Sequence, residues 1–359
     1  MNSVLSESLP PAVRSDLEHR LHESLGFQLE RVVELDAPVI HNNRLYRLHS
    51  REGRDLLLKL YQQDGRQRLE REFAALTFLT ARGFATVPTP YLLDEGHYYA
   101  VYSFEPGANR PSAHWTTDDA RAAGAFAAEL HQFTRDTPSA DFPTAFSGTF
   151  SYADMLAGLR RRLAIFSRYV ASAESLPPPI QSFLSDLDPV AEVERLIAAA
   201  LRGLSHADIA ARVPHEHHRL STNDFAPHNI LIRPAGHAGS RLCVLDHEYF
   251  GWDEPAALVA GFLTAEQALD LPPAARQAFL ESYRTSGVAP PVTFDRLERV
   301  GLLMHLSWCG VHLQLCAPEF IAKKRFASPN LDVTTHLQDQ LSKLHRRLAV
   351  AQATLGPPA

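Results

Sequence analysis

In the stretch LSTNDFAPHNILI, residues 220–232, Asp224 stands five places before Asn229, where a loop gives way to an apolar run. That run, HNILIRP, and a second one, RLCVLDHEYF, read as two short strands of a hairpin joined through residues 235–240. In an antiparallel hairpin the first residue of one strand lies beside the last of the other. Asn229 and Asp246 are therefore expected at one open end, with Asp224 on the loop leading in. Two carboxylates and an amide gathered there suit a hard cation such as Mg²⁺, which takes a few protein oxygens and leaves room for phosphate oxygens.

A second charged group stands upstream. Lys59 interrupts the apolar strand LLLKLY, with its side chain on the face opposite Leu58 and Leu60. In the following helical pattern, Glu72 falls in the middle of the stripe made by Leu69, Phe73, Leu76 and Leu79, whereas Glu70 points to solvent. A buried ammonium and a buried carboxylate are each costly alone, so Lys59 and Glu72 are expected to pair. The D-x-x-x-x-N spacing, a later aspartate and a lysine–glutamate pair are together the parts of a phosphoryl-transfer site.

The elements that must hold these residues follow from periodicity and turn signals. Residues 11–25 read as an amphipathic helix; FQLERVVEL, RLYRLHS and DLLLKLY read as three antiparallel strands. A helix ending at Gly83 comes next, then the strands PYLLD and HYYAVYSF joined around Asp94–Gly96. Glu105-Pro106-Gly107 reads as a hinge, because the chain beyond it is mainly helical. Helical patterns cover Asp118–Thr134, Tyr152–Ala171, Pro179–Arg202 and the chain from Pro273 onward, interrupted by the strand pair at 229–246. No internal repeat is present.

These residues resemble the aminoglycoside phosphotransferase and choline kinase group of small-molecule kinases, over roughly residues 30 to 265 by motif order. NNRLYRL with LLLKLY looks like that family's first strands and nucleotide lysine. LEREFAAL looks like its ion-pair helix, TNDFAPHNIL like its catalytic loop, and VLDHEYFGWDEP like its metal-aspartate segment; the last two look closest to the carbohydrate-associated branch. The resemblance implies an α+β, two-lobed protein-kinase-like fold. Residues 1–104 would form a nucleotide-binding lobe with a five-stranded antiparallel sheet and a helix, and residues 105–359 a mainly helical catalytic and substrate lobe. It implies ATP or GTP with Mg²⁺ as cofactors and the hydroxyl of a sugar, aminoglycoside or amino alcohol as acceptor. Asp224 would be the catalytic base, Asn229 and Asp246 the metal ligands, and Lys59 with Glu72 the phosphate-orienting pair. Adenine would meet the backbone around Ser103 to Glu105, and phosphate cover would come from main-chain amides near Asn42 and Asn43, because the loop APVIHNN holds no glycine.

Besides that glycine-free loop, the chain departs from the family at two further points. Thr222 and Asn223 stand where His-Gly usually precedes the base, and Leu258 replaces an aspartate that often follows the Gly-x-x-x-Pro segment. His228, Glu248 and Asp253 are candidate substrate contacts, though Glu248 and Asp253 could equally serve metal binding or a helix cap; Glu254 joins them if the acceptor is a polycation.

With 359 residues, 45% hydrophobic and a net charge of −6, the chain buries a large core and argues against a nucleic-acid binder built on phosphate neutralisation. Three cysteines in apolar surroundings, no basic-then-apolar leader and no bilayer-length apolar stretch lead to the expectation of a cytoplasmic protein without membrane contact. Eighteen histidines, with HEHH at 215–218, raise a transition-metal protein as a rival, but the spacing fits no closed zinc pattern. A pseudokinase that binds nucleotide without turnover should have lost Lys59, Asp224, Asn229 or Asp246, and none is lost.

Overall fold

The computed structural model describes residues 9–35, 43–63, 65–135, 142–234, 236, 240–326 and 328–356. The glycine-free loop around Asn42 and most of the loop at 235–240 lie outside them. The chain divides into two compact units. One takes in Met1–Arg110, His228–Phe250 and Phe326–Pro329; the other takes in Pro111–Pro227, Gly251–Arg325 and Asn330–Ala359.

In the first unit, α1 (Pro11–Leu25) precedes β1 (Leu29–Glu34), β2 (Arg44–Ser50) and β3 (Asp55–Leu60). Then come α2 (Arg68–Ala81), β4 (Pro90–Asp94) and β5 (Tyr99–Ser103). The five strands form one antiparallel sheet in the order β1-β2-β3-β5-β4. Alternation along the strands decides what each face holds. Tyr46, Leu48, Leu56, Leu58 and Val101 are buried together with Val13, Leu17 and Leu21 of α1, so the first helix covers one face of the sheet. The opposite face carries Lys59 between Leu58 and Leu60, as the sequence pattern requires.

A second, smaller sheet completes this unit. In it β8 (Ile230–Ile232) lies between β6 (Ala108–Asn109) and β9 (Leu242–Val244). Ile230 pairs with Val244, and the Leu245 amide donates to the Asn229 carbonyl at 2.7 Å, so the hairpin register puts Asn229 and Asp246 at one end as expected. Gly107, at φ 139°, admits β6 to this sheet: a Cβ there would lie 2.8 Å from the Ile232 carbonyl oxygen.

The second unit is helical: α3 (Thr117–Arg135), α4 (Tyr152–Ser172), α5 (Pro178–Asp186), α6 (Pro189–Ala200) and the short α7 (His206–Ala210), then α8 (Pro255–Thr264), α9 (Pro273–Thr285), α10 (Val292–Leu315), α11 (Pro318–Lys324) and α12 (Val333–Leu355). The continuous helix expected at 179–202 is two helices, because Asp188 caps a new start with its carboxylate on the Val190 and Ala191 amides and Pro189 occupies the first turn. The sequence reading also passed over α8 and the two-stranded ladder of β7 (Arg219–Ser221) with β10 (Gly251–Asp253). All but two residues of α8 are buried, so it carries no polar face for periodicity to reveal. Among the described residues no single helix is long and apolar enough to cross a membrane.

Candidate active site

The first unit gathers its charged residues around one ammonium. Lys59 Nζ lies 2.7 Å from Glu72 Oε2, 2.7 Å from Asp246 Oδ1 and 3.6 Å from Glu248 Oε2. Burial by itself would lower the lysine pKa, but attraction by Asp246, Glu72 and Glu248 holds it well above the ordinary value, so the amine stays charged. Glu72 is a junction: its Oε2 also accepts from the Tyr61 hydroxyl at 2.5 Å, and its Oε1 from the His247 amide at 3.2 Å. Tyr61 in turn meets Tyr102 at 2.7 Å between hydroxyl oxygens. One carboxylate thus joins β3, α2 and the segment that carries Asp246.

Glu248 is buried in the same network. It accepts from Asn43 Nδ2 at 2.5 Å and faces Arg68 Nη1 at 3.3 Å. Burial, reinforced by Asp246, pushes its carboxyl up to about 7 against the pull of Lys59 and Arg68. Asn43 spends its other side-chain atom on the Gln62 amide at 3.3 Å, so its side chain ties the start of β2 to the end of β3 and to Glu248.

Asp246 sits at φ 60°, the left-handed region that residues other than glycine rarely enter. Glu72, Asp246 and Glu248 each offer an oxygen within 4.8 Å of the others. Hard oxygen donors with Asn229 at the same hairpin end are a donor set that fits Mg²⁺, and the residues present are compatible with that ion. Asn229 is buried, and the His228 carbonyl accepts from Asn109 Nδ2 at 2.9 Å. After β5, Ser103 Oγ donates to Glu105 Oε1 at 2.5 Å, while Glu105 Oε2 meets the buried Arg233 at 2.5 Å. Arg233 also donates to the Ala85 and Leu242 carbonyls, which joins the segment after β5 to the hairpin.

Asp224 belongs to the second unit. It is half-buried between two anchored neighbours. Phe225 packs its ring 5.2 Å from those of Phe126 and Phe262. Asn223 takes a left-handed φ of 60° and bonds through its side chain to the Ser147 amide and to Asp253. Asp253 is itself buried and accepts from the Thr149 amide. Burial pushes its carboxyl up to about 8, opposed by the N–H donors at its two oxygens. Glu254 pairs with Arg296 at 2.6 Å.

Thus Lys59, Glu72, Asp246, Glu248 and Asn43 meet in one network, Ser103 and Glu105 make a second, and Asp253 braces the loop before Asp224. The histidine stretch forms no such centre among the described residues: His218 stacks on Phe150 and bonds to the Val213 carbonyl. Sequence reasoning missed Tyr61, Arg68 and Arg233. Tyr61 lies two residues beyond Lys59 on the same strand face, and Arg68 one helical turn before Glu72, so period-2 and i,i+4 spacing carried both signals.

A five-stranded antiparallel sheet with a lysine paired to the following helix, together with a hairpin that sets an asparagine beside an aspartate, defines a phosphotransferase of protein-kinase-like fold. The chain belongs to the phosphotransferase enzyme family, whose model matches residues 40–296. Among solved structures it is similar to a spectinomycin phosphotransferase in complex with ADP and spectinomycin, with a TM-score of 0.67 at 11% identity over 93% of this chain and 98% of that one. A choline kinase from Streptococcus pneumoniae gives a TM-score of 0.56 at 15% identity, over 94% of this chain and 99% of that one. A macrolide 2′-phosphotransferase from Brachybacterium faecium gives a TM-score of 0.56 at 17% identity, over 89% and 99% respectively. At such identities the likeness is one of fold. No curated protein matches the chain by sequence.

Proposed function

We propose that the protein transfers the γ-phosphoryl group of a nucleoside triphosphate, in the presence of Mg²⁺, to a hydroxyl of a small polar metabolite. The observation that carries this reading is Lys59, held charged between Glu72 and Asp246 at 2.7 Å from each. A structural lysine needs one partner; a lysine shared between a helix carboxylate and a strained aspartate is placed to exchange one of them for phosphate oxygens.

In this reading Asp224 receives the proton of the acceptor hydroxyl, while Lys59, fixed by Glu72, orients the phosphates. Asn229 and Asp246 would hold the metal, which when bound neutralises charge on the phosphate oxygens. The residues contribute by positioning and charge complementarity rather than by a covalent intermediate. The lobes would divide near residue 104, with the backbone at Ser103–Glu105 meeting the base of the nucleotide. The structural relatives with spectinomycin, choline or macrolide in their names favour an acceptor with an alcohol group, of the sugar, aminoglycoside or amino-alcohol kind.

ADP release from Mg·ATP or Mg·GTP, screened over sugars, aminoglycosides and amino alcohols with mass spectrometry of the acceptor, tests this reading. One acceptor should gain a phosphate, and Asp224→Ala should slow the transfer by about 10²–10⁴-fold. Nucleotide binding without any phosphorylated acceptor, unchanged by Asp224→Ala, would instead favour the pseudokinase alternative.

A further inference from the structure

Asn223 adopts a backbone conformation that glycine enters freely and other residues rarely do, at φ 60°. Its side chain offsets that cost with two bonds of opposite sense: Oδ1 accepts from the Ser147 amide at 2.9 Å, and Nδ2 donates to Asp253 Oδ2 at 3.1 Å. An amide placed between an N–H donor and a carboxylate has one satisfactory orientation, since exchanging its oxygen and nitrogen would break both contacts. The Asn223 amide also donates to Ser221 Oγ at 3.0 Å.

The far side of this contact is equally fixed. Asp253 is 1% exposed, and its Oδ1 accepts from the amides of Thr149 and Glu254, both at 2.9 Å. It sits on β10, which pairs with β7, the strand leading into the 222–224 loop. Immediately after Asp224, the Phe225 ring is held among Phe126, Phe262 and Phe279. The backbone of Asp224 is therefore clamped on one side by the Asn223–Asp253 bond and on the other by an aromatic cluster, while its own carboxylate stays half-buried.

We propose that Asn223 and Asp253 are positioning residues that set the Asp224 carboxylate for proton transfer. The inference rests on reading Asp224 as the base. A general base works within hydrogen-bond reach of its proton, and a misplacement of about 1 Å costs roughly 10²-fold. Asn223→Gly keeps the left-handed backbone and removes the clamp. Asp253→Asn attacks it from the other end, because an amide there either sets its nitrogen against that of Asn223 or turns it on the Thr149 and Glu254 amides and loses both.

The test is ADP release from Mg·ATP, with water or an acceptor found by screening, by wild type, Asp224→Ala, Asn223→Gly, Asp253→Asn and the double variant Asn223→Gly/Asp224→Ala. Both single clamp variants should lower kcat by about tenfold or more and leave the KM for ATP within about twofold, and the double variant should be no slower than Asp224→Ala alone. A loss through unfolding would multiply with the Asp224→Ala loss instead of vanishing in its background, and would overturn the proposal. So would wild-type kcat in both clamp variants while Asp224→Ala is impaired, which leaves the base reading standing. Wild-type turnover by Asp224→Ala overturns the base reading and the clamp together.

Discussion

Lys59 and Asp246 lie 187 residues apart in sequence and 2.7 Å apart in space. That contact joins the third strand of the large sheet to the segment leaving the β8–β9 hairpin, and Glu72, on the same ammonium, brings α2 into register with both. Because Glu72 serves three donors from two other segments of the chain, it should matter more to stability than its single charge implies.

Glu72→Ala leaves Lys59, Tyr61 and the His247 amide short of one acceptor in a buried setting. A loss of about 3–5 kcal/mol is expected in urea unfolding, with nucleotide affinity falling alongside. Glu72→Gln keeps the shape and should cost less. Wild-type stability in Glu72→Ala would show that the junction is not formed.

Tyr61→Phe removes only the hydroxyl that donates to Glu72 and meets Tyr102. About 1–3 kcal/mol should be lost, since Tyr102 keeps a buried hydroxyl with one partner fewer. Thermal unfolding of Tyr61→Phe beside Tyr102→Phe and the double variant checks this. The two losses should be non-additive, as expected for groups in one network.

Glu105→Ala tests the brace between the segment after β5 and the hairpin. It strips the buried Arg233 of its carboxylate while leaving the guanidinium on the Ala85 and Leu242 carbonyls. A destabilisation of about 3–5 kcal/mol is expected from the uncompensated charge, and Arg233→Met in the same background should restore part of it.

Acid should destabilise the second unit through three buried histidine rings, offset by about one ring's share by the raised carboxyl of Asp253. Burial lowers His131 and His305 to about 3 and His312 to about 4, against 6.5 for a free ring. Between those values the unfolded chain binds protons that the folded chain refuses, so the contribution of these rings to stability is full above about pH 6.5 and falls as the pH drops below it. Each ring contributes a slope of about 1.4 kcal/mol per pH unit. Urea midpoints at pH 7.5, 6 and 5 measure it, and His131→Asn should reduce the slope by one ring's share.

The sequence carried the first unit well for a physical reason. Strands of alternating burial and a helix with one charge in its apolar stripe are local signals, and the hairpin register that sets Asn229 beside Asp246 follows from strand length alone. What stayed hidden was non-local. The β7–β10 ladder pairs residues some thirty apart in strands of three residues each, too short for a period to appear. Asn223 read as a departure from a glycine, and only its backbone angle and its bond to Asp253 show why an asparagine serves there. Glu248, weighed as a substrate contact, is found on Asn43, Arg68 and Lys59, partners 180 to 205 residues away that no spacing rule reaches.

The most direct measurement is the Mg²⁺-dependent rate of ADP release by Asp246→Asn, taken with the binding of ATP in the absence of Mg²⁺. Loss of the carboxylate should lower the rate by about a hundredfold or more, while metal-free ATP binds as well as before or better, since Lys59 loses a competing partner. A rate equal to that of wild type, or ADP release indifferent to Mg²⁺ in both proteins, would contradict the assignment of this network to phosphoryl transfer.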